Sequence, residues 1–239
     1  MSGRAAILLQ SRMGSTRLPG KSLAPIEGRS LFAHCVERLR ARSGLPVVLV
    51  TTAQPEDDVL VAEAGRLDVP VVRGPADDVL GRYVLAATTL DLVECIRATA
   101  DNPAVDMDAP RRMLELLRRT GAGYVLEHGL PYGAGVEAVS CAALRYADLL
   151  ATEPYDREHV TPLIRRDRRF VALDALAPGA LRRPEVRLTV DTAEDLEAMR
   201  RLYAAAGGAA AAPVPLSAFI AAADALRDER QPESETKAR

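Results

Sequence analysis

The stretch QSRMGSTRLPGKSL, residues 10–23, follows an apolar run, AAILLQS (5–11), that reads as a buried strand. Two common loops could follow a first strand here, and counting tests both. A Walker A loop needs G-x-x-x-x-G-K-[ST]. Counting back from Gly20-Lys21-Ser22, its first glycine belongs at position 15, where the chain has Ser15, with Gly14 one place early. Pro25 and Gly28 then follow, so no long helix opens at Lys21 to aim its amides at phosphate. The G-x-G-x-x-G pattern of dinucleotide loops is missing as well. What remains still suits an anion. Gly14, Ser15 and Gly20 let the backbone bend closely and point amides inward. Arg12, Arg17 and Lys21 place three cations within ten residues, a match for the roughly four negative charges of a triphosphate. The competing reading is a solvated basic loop. The glycine brackets and the position after strand one favour the anion site.

Working outward, apolar strands alternate with amphipathic helices. PVVLVTT (46–52), VPVVRG (69–74) and LVECIRAT (92–99) read as strands. SLFAHCVERLRARS (30–43), PEDDVLVAEAGRL (55–67), ADDVLGRYVLAATTL (76–90) and DAPRRMLELLRRTG (108–121) read as helices. Ser30 is a natural N-cap, and the last helix stops at a glycine. Strands apolar throughout mean parallel strands covered on both faces, hence a Rossmann-like α/β three-layer sandwich with a mainly parallel sheet. Ligands in such sheets sit beyond the carboxyl ends of the strands, which singles out residues 11–21, 52–55, 74–78 and 99–103. After residue 121 the rhythm changes. AGYVLE (122–127), GVEAVS (135–140) and FVALDAL (170–176) look like strands with shorter interludes, and VRLTVD (186–191) reads as a late strand. TAEDLEAMRRLYAAA (192–206) is a helix opened by a Thr192/Asp195 capping box.

Composition narrows the class. The 239 residues suffice for one generous domain. Hydrophobic residues make up 48% and aromatics only 4%, without tryptophan, so the core is aliphatic. A formal net charge of -2 argues against a nucleic-acid or anionic-membrane binder. Cys35, Cys95 and Cys141 have no metal or disulfide spacing, which points to a reduced, cytoplasmic setting. No run has the length of a membrane span or of a signal peptide.

RMGSTRLPGKSL resembles the R-x-G-S-x-R-L-P-G-K-x-L signature of cytidylyltransferases. The similarity is strongest to the spore-coat polysaccharide biosynthesis subgroup, related to CMP-KDO synthetases and acylneuraminate cytidylyltransferases. EDDVL (56–60), GPADDVLGRY (74–83), TADNP (99–103), GVEAVS, REHVTPLIRR (157–166) and RLTVDTAEDLE (187–197) agree with it, so the resemblance runs over roughly residues 5–205. It implies a nucleotide-diphospho-sugar transferase-like fold in a single domain, 1–206. A linker and C-terminal helix (207–225) and a polar tail of disordered composition (226–239) follow. It also implies transfer of CMP from CTP to a small acceptor with release of pyrophosphate, Mg2+ as cofactor, and a homodimer.

On this resemblance Arg12 and Lys21 contact the triphosphate with the backbone at Gly14 and Ser15, and Arg17 belongs to the same site. Asp101 and Asp191 correspond to the metal-holding aspartates, and Arg12, Lys21 and Asp101 form the catalytic set. By spacing alone, Asp191 equally reads as a residue before a helix and Asp101 as a turn before Pro103. Thr99 and Asp78 are candidates on the nucleotide side. Asp77 and Asp78 with Arg82 either shape the nucleotide wall or form an ordinary first helical turn. Tyr132, Glu137, Arg157 and His159 fall in the acceptor-facing half. Arg157 and His159 either receive a carboxylate, phosphate or phosphonate, or pair with each other or serve a dimer interface. The chain departs from the subgroup at Ala100 and Asn102-Pro103-Ala104, where Gly and Cys-Pro-Leu are usual, a change that bears on the acceptor more than on the Asp101 carboxylate. A glycosyltransferase of related fold is the rival, since Asp106-Met107-Asp108 spells its metal motif, although Asp108 also reads as a helix N-cap. A nucleotide-binding regulator without turnover is the other.

Overall fold

Strand β1 (Ala5–Gln10) shows how one short run serves two cores. Ile7 and Leu9 point into one apolar cluster and Ala6 and Leu8 into the other, all buried. Strand β4 (Val47–Thr52) repeats the division, with Val47 and Leu49 on the first side and Val48 and Val50 on the second. Side chains alternate across a strand, so an unbroken apolar run requires cover on both faces. The cover is helical. Helices α1 (Leu31–Ala41), α2 (Asp58–Arg66), α4 (Ala109–Thr120), α8 (Ala193–Ala205) and α9 (Leu216–Asp228) supply the first cluster. Helices α3 (Val79–Thr89), α5 (Cys141–Leu150) and α7 (Pro162–Arg166) supply the second. The computed structural model describes residues 4–208 and 213–228.

The remaining strands are a two-residue pair, β2 (Pro25–Ile26) with β3 (Arg29–Ser30), and β5 (Val71–Gly74), β6 (Glu94–Thr99), β7 (Tyr124–His128), β8 (Glu137–Ser140) and β9 (Ala172–Leu176). The main sheet has seven strands in the order β5-β4-β1-β6-β8-β7-β9. Only β8 runs antiparallel to its neighbours, so the expected three-layer sandwich with a mainly parallel sheet is the observed one. The chain leaves β1 toward β4 and β5, then returns to place β6 on β1's other side. The crevice beyond the ends of β1 and β6 is therefore the topological switch point where such sheets bind ligands. Gln10 and Thr99 are register partners there, which sets residues 11–22 beside residues 100–103.

Three readings of the sequence change. VRLTVD (186–191) joins no strand of the sheet and makes one isolated bridge, Arg187 to Tyr132. Its alternation is real, since Val186, Leu188 and Val190 are buried, but its hydrogen bonds go to loops. Tyr132 N–H donates to Val186 O (2.8 Å), Leu188 N–H to Tyr132 O (2.7 Å) and Val190 N–H to Asp101 O (2.8 Å). The segment is a strap across the strand ends. Gly133, at φ 93°, lies under it, where a Cβ would come within 2.9 Å of the Leu188 carbonyl. Second, α5, α6 (Pro154–His159) and α7 fill the interludes between the late strands, to which the sequence reading gave no structure. Ser140 ends β8 and caps α5 by accepting from Ala143 N–H at 3.1 Å, so no turn residues separate strand from helix. Third, α9 runs to Asp228, three residues past the expected boundary at 225. Buried Arg38 ties α9 down, donating to Val105 O (2.9 Å) and Val214 O (2.5 Å) with its guanidinium 5.1 Å from the Phe219 ring. The tail from 229 onward and linker residues 209–212 lie outside the described residues.

Candidate active site

The loop after β1 is closed at its base by two hydroxyls. Buried Ser11 and Ser22 are hydrogen-bonded at 2.8 Å, and Ser22 Oγ also donates to Arg12 O at 3.2 Å. Gly20, at φ 74°, turns the chain into a 3₁₀ turn of Lys21–Leu23, so Lys21 opens no long helix. Gly14 presses against the next connection, where a Cβ would lie 2.8 Å from Glu56 Oε1.

Lys21 reaches across to the strap. Its ammonium donates to Val190 O at 2.8 Å and to Asp191 Oδ1 at 3.1 Å, and lies 3.6 Å from Asp101 Oδ2. The predicted cation and both predicted metal aspartates thus meet at one point. The backbone brings the two carboxylates together, because Val190 N–H and Thr189 Oγ1 both donate to Asp101 O, at 2.8 and 3.2 Å. Arg17 adds a contact of 3.2 Å to Asp191 Oδ1, and Arg187 donates to Asp191 Oδ2 at 3.0 Å. Burial pushes the Asp191 carboxyl up, but Lys21, Arg187 and Arg17 outweigh it and hold it below its ordinary value. Asp101 Oδ1 is buried without a hydrogen-bond partner. Arg12 is exposed, and its side chain has no hydrogen bond or ion pair among the described residues.

The strap also feeds a capping box. Thr192 Oγ1 accepts from Asp195 N–H at 3.2 Å, while Asp195 Oδ2 accepts from Thr192 N–H at 3.1 Å and Asp191 N–H at 2.9 Å. The Arg187 guanidinium, with these amides, holds the Asp195 carboxyl well below the usual carboxylate range against the effect of burial. A depressed carboxylate contributes stability that is complete above its unfolded value of ~3.9 and lost as pH falls through the lower folded value. Urea unfolding is therefore expected to show wild-type stability dropping on acidification below about pH 4, with a shallower drop in Asp195→Asn.

An open cleft of about 930 Å³ runs from the loop to the second half of the sheet. Of the sequence candidates, Arg12, Ser15, Arg17, Lys21, Thr99, Asp101, Tyr132, Glu137, His159 and Asp191 line it. Tyr132 is next to Asp191 through Arg187, whose guanidinium lies 5.1 Å over the Tyr132 ring. Thr99 Oγ1 accepts from Asn102 Nδ2 at 3.0 Å. Asp78 and Arg157 are not among the lining residues. They bond each other, Arg157 Nη2 to Asp78 Oδ2 at 2.6 Å, and fasten α6 to the start of α3, where Asp78 caps Gly81 N–H. Asp106 and Asp108 also lie off the cleft. Asp106 is buried against Arg112 (2.8 Å), and Asp108 stands at the N-cap position without a capping bond and pairs with Arg42 (3.0 Å). His34 is buried as a core residue, its Nε2 donating to Ile26 O at 2.8 Å and its ring tilted against that of Tyr203 at 4.5 Å between centroids.

Four residues escaped the sequence reading. Arg97 lines the cleft and is the register partner of Glu137, with its Nη1 2.9 Å from Glu137 Oε2. Tyr124 donates to Glu137 Oε1 at 2.8 Å. Arg97 had a signal, since a guanidinium two residues before Thr99 in the same strand must share its face. Arg165 also lines the cleft, from the REHVTPLIRR segment. Asp57, fully buried, binds the loop from below.

Known proteins resemble the chain over most of its length. A family profile described as Cytidylyltransferase matches residues 6–212. Spore coat polysaccharide biosynthesis protein SpsF of Bacillus subtilis (strain 168) is 34% identical over 84% of this chain and 86% of its own. A cytidylyltransferase structure from Leptospira borgpetersenii superposes with a TM-score of 0.87 at 27% identity, over 98% of this chain and 100% of the other. A CMP:2-keto-3-deoxy-manno-octonic acid synthetase complexed with CTP shares the fold, with a TM-score of 0.66 at 19% identity over 84% and 98%. With a profile match that spans the loop, both aspartates and the strap, the chain belongs to the cytidylyltransferase family and is a nucleotidyltransferase.

Proposed function

We propose that this enzyme transfers CMP from CTP to a small acceptor, a sugar acid, sugar phosphate or phosphonate, and releases pyrophosphate with the help of Mg2+. The observation that carries the reading is the meeting of Lys21, Asp101 and Asp191 at the switch-point cleft, below the Arg12 and Arg17 loop. Nucleotidyl transfer asks for alignment and charge neutralisation more than for covalent help. The chain's cations are arranged for that. Arg12, without a partner among the described residues, is placed to meet phosphate oxygens, while Lys21 and Arg17 bring charge to the same cleft.

The residues fit a divalent ion. A buried carboxylate oxygen with no partner, Asp101 Oδ1, is costly by itself and is relieved by a cation. Among the described residues no group of three or more His, Cys, Asp or Glu is placed to hold a metal. Two carboxylates with phosphate oxygens and water are the donor set that Mg2+ accepts. Asp101 and Asp191 would hold it, and the bound ion would neutralise phosphate charge and make the α-phosphorus easier to attack. Arg187 keeps Asp191 oriented by occupying its far oxygen.

The acceptor belongs beside His159, Arg165 and the Arg97–Glu137 pair, which line the same cleft. Arg165 and His159 are exposed there and suit an anionic group on the acceptor. The Arg157 guanidinium is spent on Asp78 and Asp148 and positions α6 instead. The rival Asp-x-Asp reading loses support because Asp106 and Asp108 are engaged away from the cleft. Pyrophosphate release tests the proposal, with CTP, UTP, ATP and GTP each offered with Mg2+ and pooled sugar acids, sugar phosphates and phosphonates. Release with CTP and one pool is expected. Release with another nucleotide in preference to CTP, or transfer from a nucleotide sugar without pyrophosphate, would overturn it.

A further inference from the structure

Asp57 lies in the 3₁₀ turn Pro55–Asp57 between β4 and α2 and is 0% exposed. It has no ion-pair partner among the described residues, and it divides its two oxygens between two structures. Oδ2 accepts from Thr51 Oγ1 (2.8 Å), from Thr52 N–H (3.0 Å) and from Thr52 Oγ1, all at the end of β4. Oδ1 accepts from Met13 N–H at 2.7 Å, inside the loop that carries Arg12, Arg17 and Lys21. Met13 is the hub of that loop. Its carbonyl accepts from Ser15 N–H at 2.8 Å and from Gly20 N–H at 3.1 Å, and so gathers both arms of the turn. The peptide that Asp57 holds therefore fixes where Ser15, Arg17 and Lys21 stand.

We propose that Asp57 is a positioning residue for nucleotide binding, a buried anion that ties the end of β4 to Met13 and presets the loop around the triphosphate. The inference rests on the reading of that loop as the CTP site. The carboxylate is required because each oxygen accepts from a backbone N–H, Met13 on one side and Thr52 on the other. An amide of the same shape offers one acceptor and one donor, so one backbone N–H would face another donor. The burial pushes the Asp57 carboxyl up, and the four donors together bring it below its ordinary value, so it stays charged.

Calorimetric CTP binding and steady-state kinetics on wild type, Asp57→Asn and Thr51→Val test the proposal, with urea unfolding to follow the fold of each. Thr51→Val removes one bond at the strand end and leaves the Met13 bond in place. Asp57→Asn is expected to weaken CTP binding and raise the KM for CTP roughly 10- to 100-fold, the span of a lost charge-assisted hydrogen bond. At saturating CTP its kcat should fall by much less than its affinity for CTP, since bound triphosphate draws the loop and Lys21 back into place. Thr51→Val should lower stability and leave CTP affinity unchanged. A folded Asp57→Asn with wild-type CTP affinity would overturn the inference alone, as would equal loss of CTP affinity in Thr51→Val, which marks a general loosening. Wild-type protein that binds no CTP would overturn the functional reading, and this inference with it.

Discussion

Lys21→Ala is expected to lower kcat/KM by roughly 10²- to 10³-fold, the usual loss when one preorganised donor to developing phosphate charge is removed. The side chain is only 15% exposed and has three oxygens around it, from Val190, Asp191 and Asp101. Two consequences separate catalysis from folding. Asp191 keeps Arg17 and Arg187 as counter-charges, so the fold should survive, with a modest shift in Tm. Lys21→Arg should not restore turnover, because a planar guanidinium cannot replace a compact ammonium in the gap between two carboxylates and a carbonyl. Pyrophosphate release at saturating CTP beside a thermal melt reads both. A folded Lys21→Ala protein with near wild-type turnover would remove Lys21 from the site.

Asp101→Asn should cost at least ~10²-fold in kcat, since even outer residues of a metal site are worth 10- to 100-fold. Its backbone carbonyl, which accepts from Val190 N–H and Thr189 Oγ1, is untouched, so the strap should remain docked. The loss should track the cation. Turnover of the variant is expected to need more Mg2+, and Mn2+ binding followed by electron paramagnetic resonance in the presence of CTP should weaken. Wild-type Mn2+ affinity in Asp101→Asn would place the ion elsewhere, and full turnover would deny the carboxylate a role. The prediction differs from that for Asp57, where CTP affinity falls and the metal dependence stays.

Much of the first half was legible because local chemistry and tertiary need agree there. The run Ala5–Gln10 is apolar on both faces, and a strand covered twice has no other solution. Ser30 and Thr192 cap the helices that their sequences announce, and Gly121 ends α4 in the left-handed conformation. The cationic loop was legible too, since its glycines and its place after β1 fix where it must lie. Arg97 was missed although its signal was present, a charge on the same strand face as Thr99.

Other features depend on partners far away in the chain. The alternation of residues 186–191 specifies an extended segment with one buried side, yet hydrogen bonds from Tyr132 and Asp101 decide that it is a strap and not a strand. Asp78 and Arg157, 79 positions apart, each read either as a ligand-binding residue or as a structural one, and the packing of α6 on α3 spends their charges on each other. The bond from Met13 to Asp57, across 44 positions, is equally invisible in a one-dimensional pattern. Periodicity and caps are set by neighbours within a turn or a pleat, so the order of residues carries them. Which charge remains free for a substrate depends on which distant groups the fold brings within hydrogen-bonding distance, and that is a property of the packed chain alone.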